Sequence, residues 1–158
     1  MIVLKFKKDI KGECTTSGYE GWINVDNVAF GVGRSIQSVS EGSDKRDVST
    51  PTISEVAISR STDLASPEFF FQACGGQTLE LATINIVQVE NNEPKVHVAI
   101  ELTDPIVSGY SISTGGDNPS ESVTLNFTKI SFQYNSFDGK KVTQSAAKKW
   151  DLSKNVTF

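Results

Sequence analysis

The sequence predicts a mainly β domain: a closed or nearly closed β-barrel of two packed sheets, with one short flanking α-helix and a long extended loop. Three observations predict it. Val, Ile, Ser and Thr are frequent while Met occurs once and Trp twice, a mix that suits half-buried pleated surfaces. Apolar and polar residues alternate with period two in one segment after another, separated by Gly, Pro, Asn and Asp. Only the stretch from Ser66 to Gly76 carries helix start and stop signals. Roughly eight to ten strands leave many edges, and closing the sheets on themselves hides them best.

The elements follow in order. Ile2 to Lys8 alternates as a strand and leads into a Lys-, Gly-, Thr- and Ser-rich turn at Asp9 to Gly18. A second strand region runs from Tyr19 to about Val32. Its apolar residues break the period of two, which predicts a bulge or burial on both faces. Gly33 to Pro51 is polar and long for a compact domain, and such loops are functional or disordered. Its second half reads as extended and its tip, Glu41 to Lys45, as mobile. Thr52 to Arg60 alternates again, with Ser54, Val56 and Ile58 in one phase.

Ser66 is placed to cap a helix, Pro67 suits its first position and Glu68 complements its dipole. Phe69, Phe70 and Ala73 form its apolar face, and Gly75 with Gly76 ends it. Cys74 is expected in a small buried position. Thr78 to Glu90 is a long strand. Lys95 to Leu102 alternates cleanly, with Val96, Val98, Ile100 and Leu102 facing one way. Ile106 to Thr114 is a further strand, followed by a polar glycine-rich turn at Ser113 to Ser122. In Val123 to Tyr134 the phase changes, predicting a bulge near Thr128 and Lys129. Asp138-Gly139 signals a hairpin, and a weak strand at Ala146 to Asp151 ends the chain.

The 158 residues suit one domain, 1–158, with 37% hydrophobic and 22% charged residues. A formal charge of -4 argues against nonspecific nucleic-acid binding, which rests on Lys and Arg contacts to phosphate. The start of the chain alternates and carries no secretory apolar core, and no apolar run of membrane-spanning length exists. The expectation is synthesis in the cytoplasm without a signal peptide, and no membrane insertion. Cys14 and Cys74, the only cysteines, are expected as free thiols.

No catalytic constellation is visible. His97 is the single histidine and shares a strand face with Glu101, too far along it for a direct hydrogen bond. There is no GxSxG, no phosphate-binding glycine loop and no zinc spacing. The expectation is a non-enzyme with no catalytic residue, cofactor or metal.

Several stretches together resemble the Hcp family of bacterial type VI secretion systems. Lys11-Gly12-Glu13 stands in the first turn, and Gly31 to Arg34 (GVGR) follows the second strand. Val48 to Ile58 (VSTPTISEVAI) and Asp63 to Ala73 (DLASPEFFFQA) match the family's strand-plus-helix segment. Val107 to Gly116 (VSGYSISTGG) and Glu121 to Tyr134 (ESVTLNFTKISFQY) match its paired C-terminal strands. Tyr19-Glu20 departs from the family, where many members carry a His before the second strand. The resemblance implies a subunit of the secretion system's inner tube: a homohexameric ring, rings stacked into a hollow tube, and a lumen able to carry effector proteins. It implies a spike protein and a contractile sheath as partners and export by the type VI system. Phage tail-tube proteins share the architecture and form one alternative. A β-sandwich binding module for a glycan or peptide, using Trp22, Tyr110 or Trp150, is another.

Two surfaces are expected to serve assembly. With the resemblance, the loop Gly33 to Pro51 becomes a contact between subunits or rings, with Arg34, Ser38, Glu41, Lys45, Arg46 and Asp47 as its candidates. The resemblance matches Asn27-Val28-Ala29-Phe30 to family strand residues near the lumen, which makes Asn27 and Ala29, alternating away from Val28 and Phe30, the lumen-facing candidates; the other reading of Ala29 is an ordinary packed residue. Residues 139–158 hold five Lys against one acid, Asp151, a net +4, which leaves -8 for the first 138 residues. Such an asymmetry steers association between neighbours, or else makes a solvated hairpin.

Overall fold

The computed structural model describes residues 1–8, 10–38, 46–138 and 141–158. Fifteen strands and one helix occur among them. In chain order they are β1 (Ile2–Phe6), β2 (Ile23–Val25), β3 (Asn27–Ala29), β4 (Val32–Gly33), β5 (Ile36–Ser38), β6 (Arg46–Val48), β7 (Thr52–Ile53) and β8 (Val56–Ser61). Helix α1 (Ser66–Gly75) comes next. Then follow β9 (Leu81–Glu90), β10 (Glu93–Thr103), β11 (Ile106–Ser113), β12 (Ser120–Asn126), β13 (Lys129–Asp138), β14 (Lys141–Gln144) and β15 (Lys148–Asp151).

Two sheets face one another. The larger has the order β14-β13-β10-β9-β1-β2, with β15 also on β13, and the smaller the order β11-β12-β8-β3. Leu4, Phe6, Ile84, Ile100 and Leu102 of the larger sheet meet Val56, Ile58, Val123 and Leu125 of the smaller in one apolar core. Among the described residues no continuous hydrogen-bonded ladder runs around this core, so the predicted barrel takes the form of two packed sheets that do not fully close. A second cluster covers the outer face of the larger sheet, where Cys14 and Tyr19 lie over Val3 and Val87.

That second cluster depends on Gly12. The segment 12–22 folds back on itself through Gly12 N–H to Gly21 C=O, 2.9 Å, and Cys14 N–H to Trp22 C=O, 3.0 Å. A Cβ on residue 12 would stand 2.4 Å from the Trp22 carbonyl oxygen and 2.5 Å from Ile23 Cα. Backbone meets backbone there, so only glycine fits.

The irregular period of the second strand region has a different cause from a bulge. Tyr19 to Trp22 is a turn, and at Asp26 the chain leaves β2 in one sheet and enters β3 in the other. The phase change near Thr128 is likewise a corner, where β12 ends and β13 begins in the opposite sheet. The bulges lie elsewhere, between Val96 and Val98 and between Val107 and Gly109. His97 is the extra residue of the first one. The bulge turns Val96 toward the second cluster and Val98 toward the main core, so the two do not share a face as the clean alternation predicts.

The loop from Gly33 to Pro51 is more regular than its polarity suggests. β4 pairs β7 and β5 pairs β6, both antiparallel, making a two-stranded ribbon with Ile36 opposite Val48. Its expected mobile tip, with Glu41 and Lys45, lies outside the described residues. At the other end of the chain, β14 adds a strand that the sequence pattern misses, because all four of its residues are exposed.

Helix α1 also differs in detail. Its N-cap position is Ala65, which makes no side-chain cap bond. Asp63 orders the entry instead. Its Oδ1 accepts the Ala65 N–H at 2.7 Å, and its own N–H donates to Ser66 Oγ at 3.0 Å. Gly76, at φ 61°, ends the helix through a bond to the Gln72 carbonyl. Ser66, Phe69 and Gln72 face inward, whereas Phe70 is exposed. Cys74 is exposed rather than buried, and both thiols are free.

Candidate assembly surfaces

Three surfaces concentrate what the fold leaves unused. The first is the outer face of the smaller sheet. Residues directly opposite in an antiparallel sheet share a face, so its composition follows from register. Ser111, Ser122, Ser59 and Asn27 form one row across all four strands. Gly109, Thr124, Ala57 and Ala29 form the next. Ser113, Ser120 and Ser61 form a third. No charged side chain stands in these three rows, but Glu55 borders them, accepting from Ser108 and Asn126, and Asp26 accepts from Ser61. Asn27 and Ala29 are both exposed.

The opposite face of the same sheet carries a buried ion network. Arg60, only 1% exposed, pairs with Glu121 and with Asp63. Its Nε donates to the Asn24 carbonyl at 3.0 Å, and its guanidinium lies 5.6 Å from the Phe69 ring centroid. Tyr110 donates its phenol to the second Glu121 oxygen at 2.8 Å. Burial first, and then the Glu121 carboxylate, push the Tyr110 phenol up to about 12. The network ties the segment entering α1 to β8 and β12, and so fixes how the helix leaves the sheet. A readable signal points to it: Arg60 continues the inward phase of Val56 and Ile58.

The second surface is a cleft of about 480 Å³ at the base of the ribbon, walled by Phe30, Val32, Pro51, Ile53, Phe132 and Trp150. The Phe30 and Phe132 rings sit 6.4 Å apart across it. Arg34 is the one charged residue in its wall. Of the remaining loop candidates the ribbon carries Ser38, opposite Arg46, and Asp47, opposite Gln37, while Glu41 and Lys45 lie outside the described residues. Ile36 and Val48 are exposed upon it. The sequence places Arg34 among the candidates but not the apolar wall behind it. Those side chains come from segments far apart in the chain.

The third surface is the outer stripe of α1. Pro67, Phe70, Phe71 and Cys74, which share one side of the helix, are all exposed, with Phe70 57% and Phe71 63% so. Tyr110 covers part of Phe70, at 6.3 Å between ring centroids. The basic C-terminal segment shows exposed Lys148 and Lys149 on β15. Phe158 folds back beneath Lys129 and Lys149, at 4.9 and 5.4 Å from its ring centroid. The Asp151 carboxyl is held below its ordinary range by the Ser153 hydroxyl, assisted by the Lys154 and Ser153 amides and by Lys129. His97 stands apart from these surfaces, its ring tilted against Phe137 at 4.8 Å between centroids, with Nε2 3.5 Å from Glu90 Oε1. Among the described residues no group of three or more His, Cys, Asp or Glu is arranged to hold a metal ion, and no helix is long and apolar enough to cross a membrane.

Comparison with known proteins assigns this fold. A family model described as the type VI secretion system effector Hcp matches residues 3–134. The chain belongs to the Hcp family. It is accordingly a subunit of the type VI secretion tube, a structural component of a secretion machine. The phage tail-tube and binding-module alternatives are not favoured.

Solved structures agree in fold. A type six secretion system protein superposes with a TM-score of 0.89 at 23% identity, over 99% of this chain and 98% of that one. Hcp1 from Salmonella typhimurium superposes at 0.77 with 21% identity, over 99% and 97%. A type VI secretion system effector from Yersinia pestis superposes at 0.74 with 17% identity, over 96% and 99%. A search of curated protein sequences finds no match. Fold retained at such low identity points to the framework rather than to particular side chains. What is individual to this Hcp chain therefore lies in its surfaces.

Proposed function

We propose that copies of this Hcp-family subunit associate head to tail into hexameric rings, and that the rings stack into a hollow tube whose lumen is lined by the outer face of the smaller sheet. Effector proteins travel in that lumen, with a spike at the tip and a contractile sheath outside. The observation that carries this reading is the three uncharged rows of small residues. An exposed face on a free-standing domain is ordinarily studded with charge, which keeps it soluble. A narrow passage with charged walls focuses its field and holds cargo of opposite sign. A wall of hydroxyls, methyls and backbone wets readily and grips weakly, which suits cargo that has to leave. Asn27 and Ala29 then face the lumen, beside Ser59 and Ala57. The subunit works by self-association alone and needs no catalytic residue or cofactor.

Accessibility tests this. In a Cys74→Ser background, Asn27→Cys or Ala29→Cys gives a single reactive thiol, since Cys14 is buried. A small maleimide is expected to label assembled and dissociated protein alike. A polymer-linked maleimide too wide for the pore is expected to label only dissociated protein. Equal labelling of intact rings by the bulky reagent contradicts the lumen assignment.

The ribbon is proposed as the contact between rings, with Arg34, Ser38, Arg46 and Asp47 as its candidates; Glu41 and Lys45, proposed with them from the sequence, lie outside the described residues. The paired, exposed Ile36 and Val48 support this, because an apolar cross-strand pair on a projecting ribbon gains little from its own fold. The double variant Ile36→Ser/Val48→Ser is expected to form rings that no longer stack into tubes by electron microscopy. Unchanged tube length argues against the assignment.

A further inference from the structure

We infer that neighbouring copies around the ring are joined by helix α1 of one copy lying in the Phe30–Trp150 cleft of the next. The inference rests on the ring reading above and names the contact that closes it.

Helix α1 is not built to face water. Its inward side buries Phe69 beside two polar residues, Ser66 and Gln72. Its outward stripe is Pro67, Phe70, Phe71 and Cys74. Glu68 is its one charged residue and spends Oε1 on Gln72 Nε2 at 2.7 Å. A surface helix carries charge on its outer face, and a helix apolar all round belongs in an interior. Nothing among the described residues supplies that interior for Phe71.

The cleft is the matching deficiency. Its wall is aromatic and aliphatic, about 480 Å³ in volume, and within the size range of sites that take large apolar groups. Its one charge, Arg34, is opposite in sign to the helix's one charge, Glu68, which stands on the flank of the stripe beside Gln72, so opposite charges border an apolar match.

The two features occupy opposite corners of the smaller sheet. The cleft lies where β3 ends and β8 begins, on the β3 edge. The helix lies past the far end of β8 and packs on β11, the opposite edge. The six residues of β8 alone separate the two by about 20 Å at ~3.3 Å per residue. One copy therefore does not fill its own cleft. A second copy does, and contact between two different patches is heterologous, the kind that closes into a ring.

Cross-linking reads this contact directly. Cys74 already stands on the helix stripe, so Val32→Cys places its partner in the cleft. Under mild oxidation, purified rings of V32C are expected to give a disulfide-linked ladder ending at six copies on non-reducing gels. Adding Cys74→Ser is expected to abolish it. Separately, Phe71→Ser alters a side chain that the monomer leaves in solvent. It is expected to leave the circular dichroism spectrum unchanged while shifting the solution mass from ring to monomer. Intact rings of V32C that give no ladder, or F71S rings as stable as wild type, overturn the contact and leave the ring reading standing. A ladder passing well beyond six places the contact between rings and overturns the assignment around the ring. Wild-type protein that forms no rings overturns both.

Discussion

Arg60 is the residue on which the smaller sheet and the helix both depend. Its charge is buried against two carboxylates, and removing one partner of such a cluster leaves uncompensated charge in the interior, at about 3–5 kcal/mol. Domains of this size are stable by only about 5–15 kcal/mol, so Arg60→Met is expected to lower the urea midpoint severely. Glu121→Gln, which leaves Arg60 with Asp63, is expected to cost less. Tyr110 reports on the same cluster. Its folded value lies above the ordinary 10.0, so its contribution is complete below about pH 10 and is lost as pH rises through about 12. Absorbance at the phenolate band is expected to show one tyrosine ionising last, and Tyr110→Phe is expected to remove that late step. An unchanged titration in Y110F contradicts the assignment. Gly12 is a second special residue. Gly12→Ala forces a methyl into the Trp22 backbone and is expected to cost about 1–3 kcal/mol, read as a shift in melting temperature without loss of the β-type far-ultraviolet spectrum. In the sequence, Lys11-Gly12-Glu13 shows that a glycine belongs there. Only the fold shows the close approach that excludes a side chain.

At the scale of elements, what pattern alone reveals and what it hides have physical causes. Period-two alternation locates β1, β8, β9 and β12 because each has one face on the core. It fails at β14, whose residues are all exposed, and at the ribbon, whose pairing is with itself. It also misreads two corners as bulges, since a strand that crosses from one sheet to the other changes phase just as a bulge does. The true bulge at His97 is silent in sequence: Val96 and Val98 are both apolar, and both faces of β10 are covered. Helix α1 was legible from Pro67, Glu68 and the double glycine. Its orientation was not, because Phe69, Phe70 and Phe71 are equivalent in a string; in the fold Phe69 is the one turned inward, beside Arg60. The C-terminal segment follows from Asp151, held in its ionised form by Ser153. Because its folded value is depressed, that support is present above the ordinary 3.8 and is lost as pH falls through the folded value. Amide exchange in Lys148 to Asp151 is therefore expected to quicken below about pH 4 before the main sheets open. Exchange that stays as slow as in β9 contradicts this.

At the scale of the molecule, the subunit is stable through its core and functional through its coat. The core fixes two sheets and the helix entry. The coat presents a sheet face of small uncharged rows bordered by Glu55 and Asp26, an apolar cleft, an apolar helix stripe and a ribbon. The sequence proposes Asn27, Ala29 and Arg34 for such surfaces; the fold leaves the first two exposed on the smaller sheet and sets Arg34 in the cleft wall. The serine rows were present as alternating Ser59 and Ser61, Ser111 and Ser113, Ser120 and Ser122, but only strand register aligns them into one face. The cleft had no linear signature, since its wall joins residues near 30, 51, 130 and 150. The central claim is that these surfaces meet between copies. Light scattering on the purified protein, together with negative-stain imaging of the same sample, tests it most directly. A mass near six times 17.2 kDa and six-fold rings with an open centre are the predicted result. A strict monomer at every concentration would contradict it.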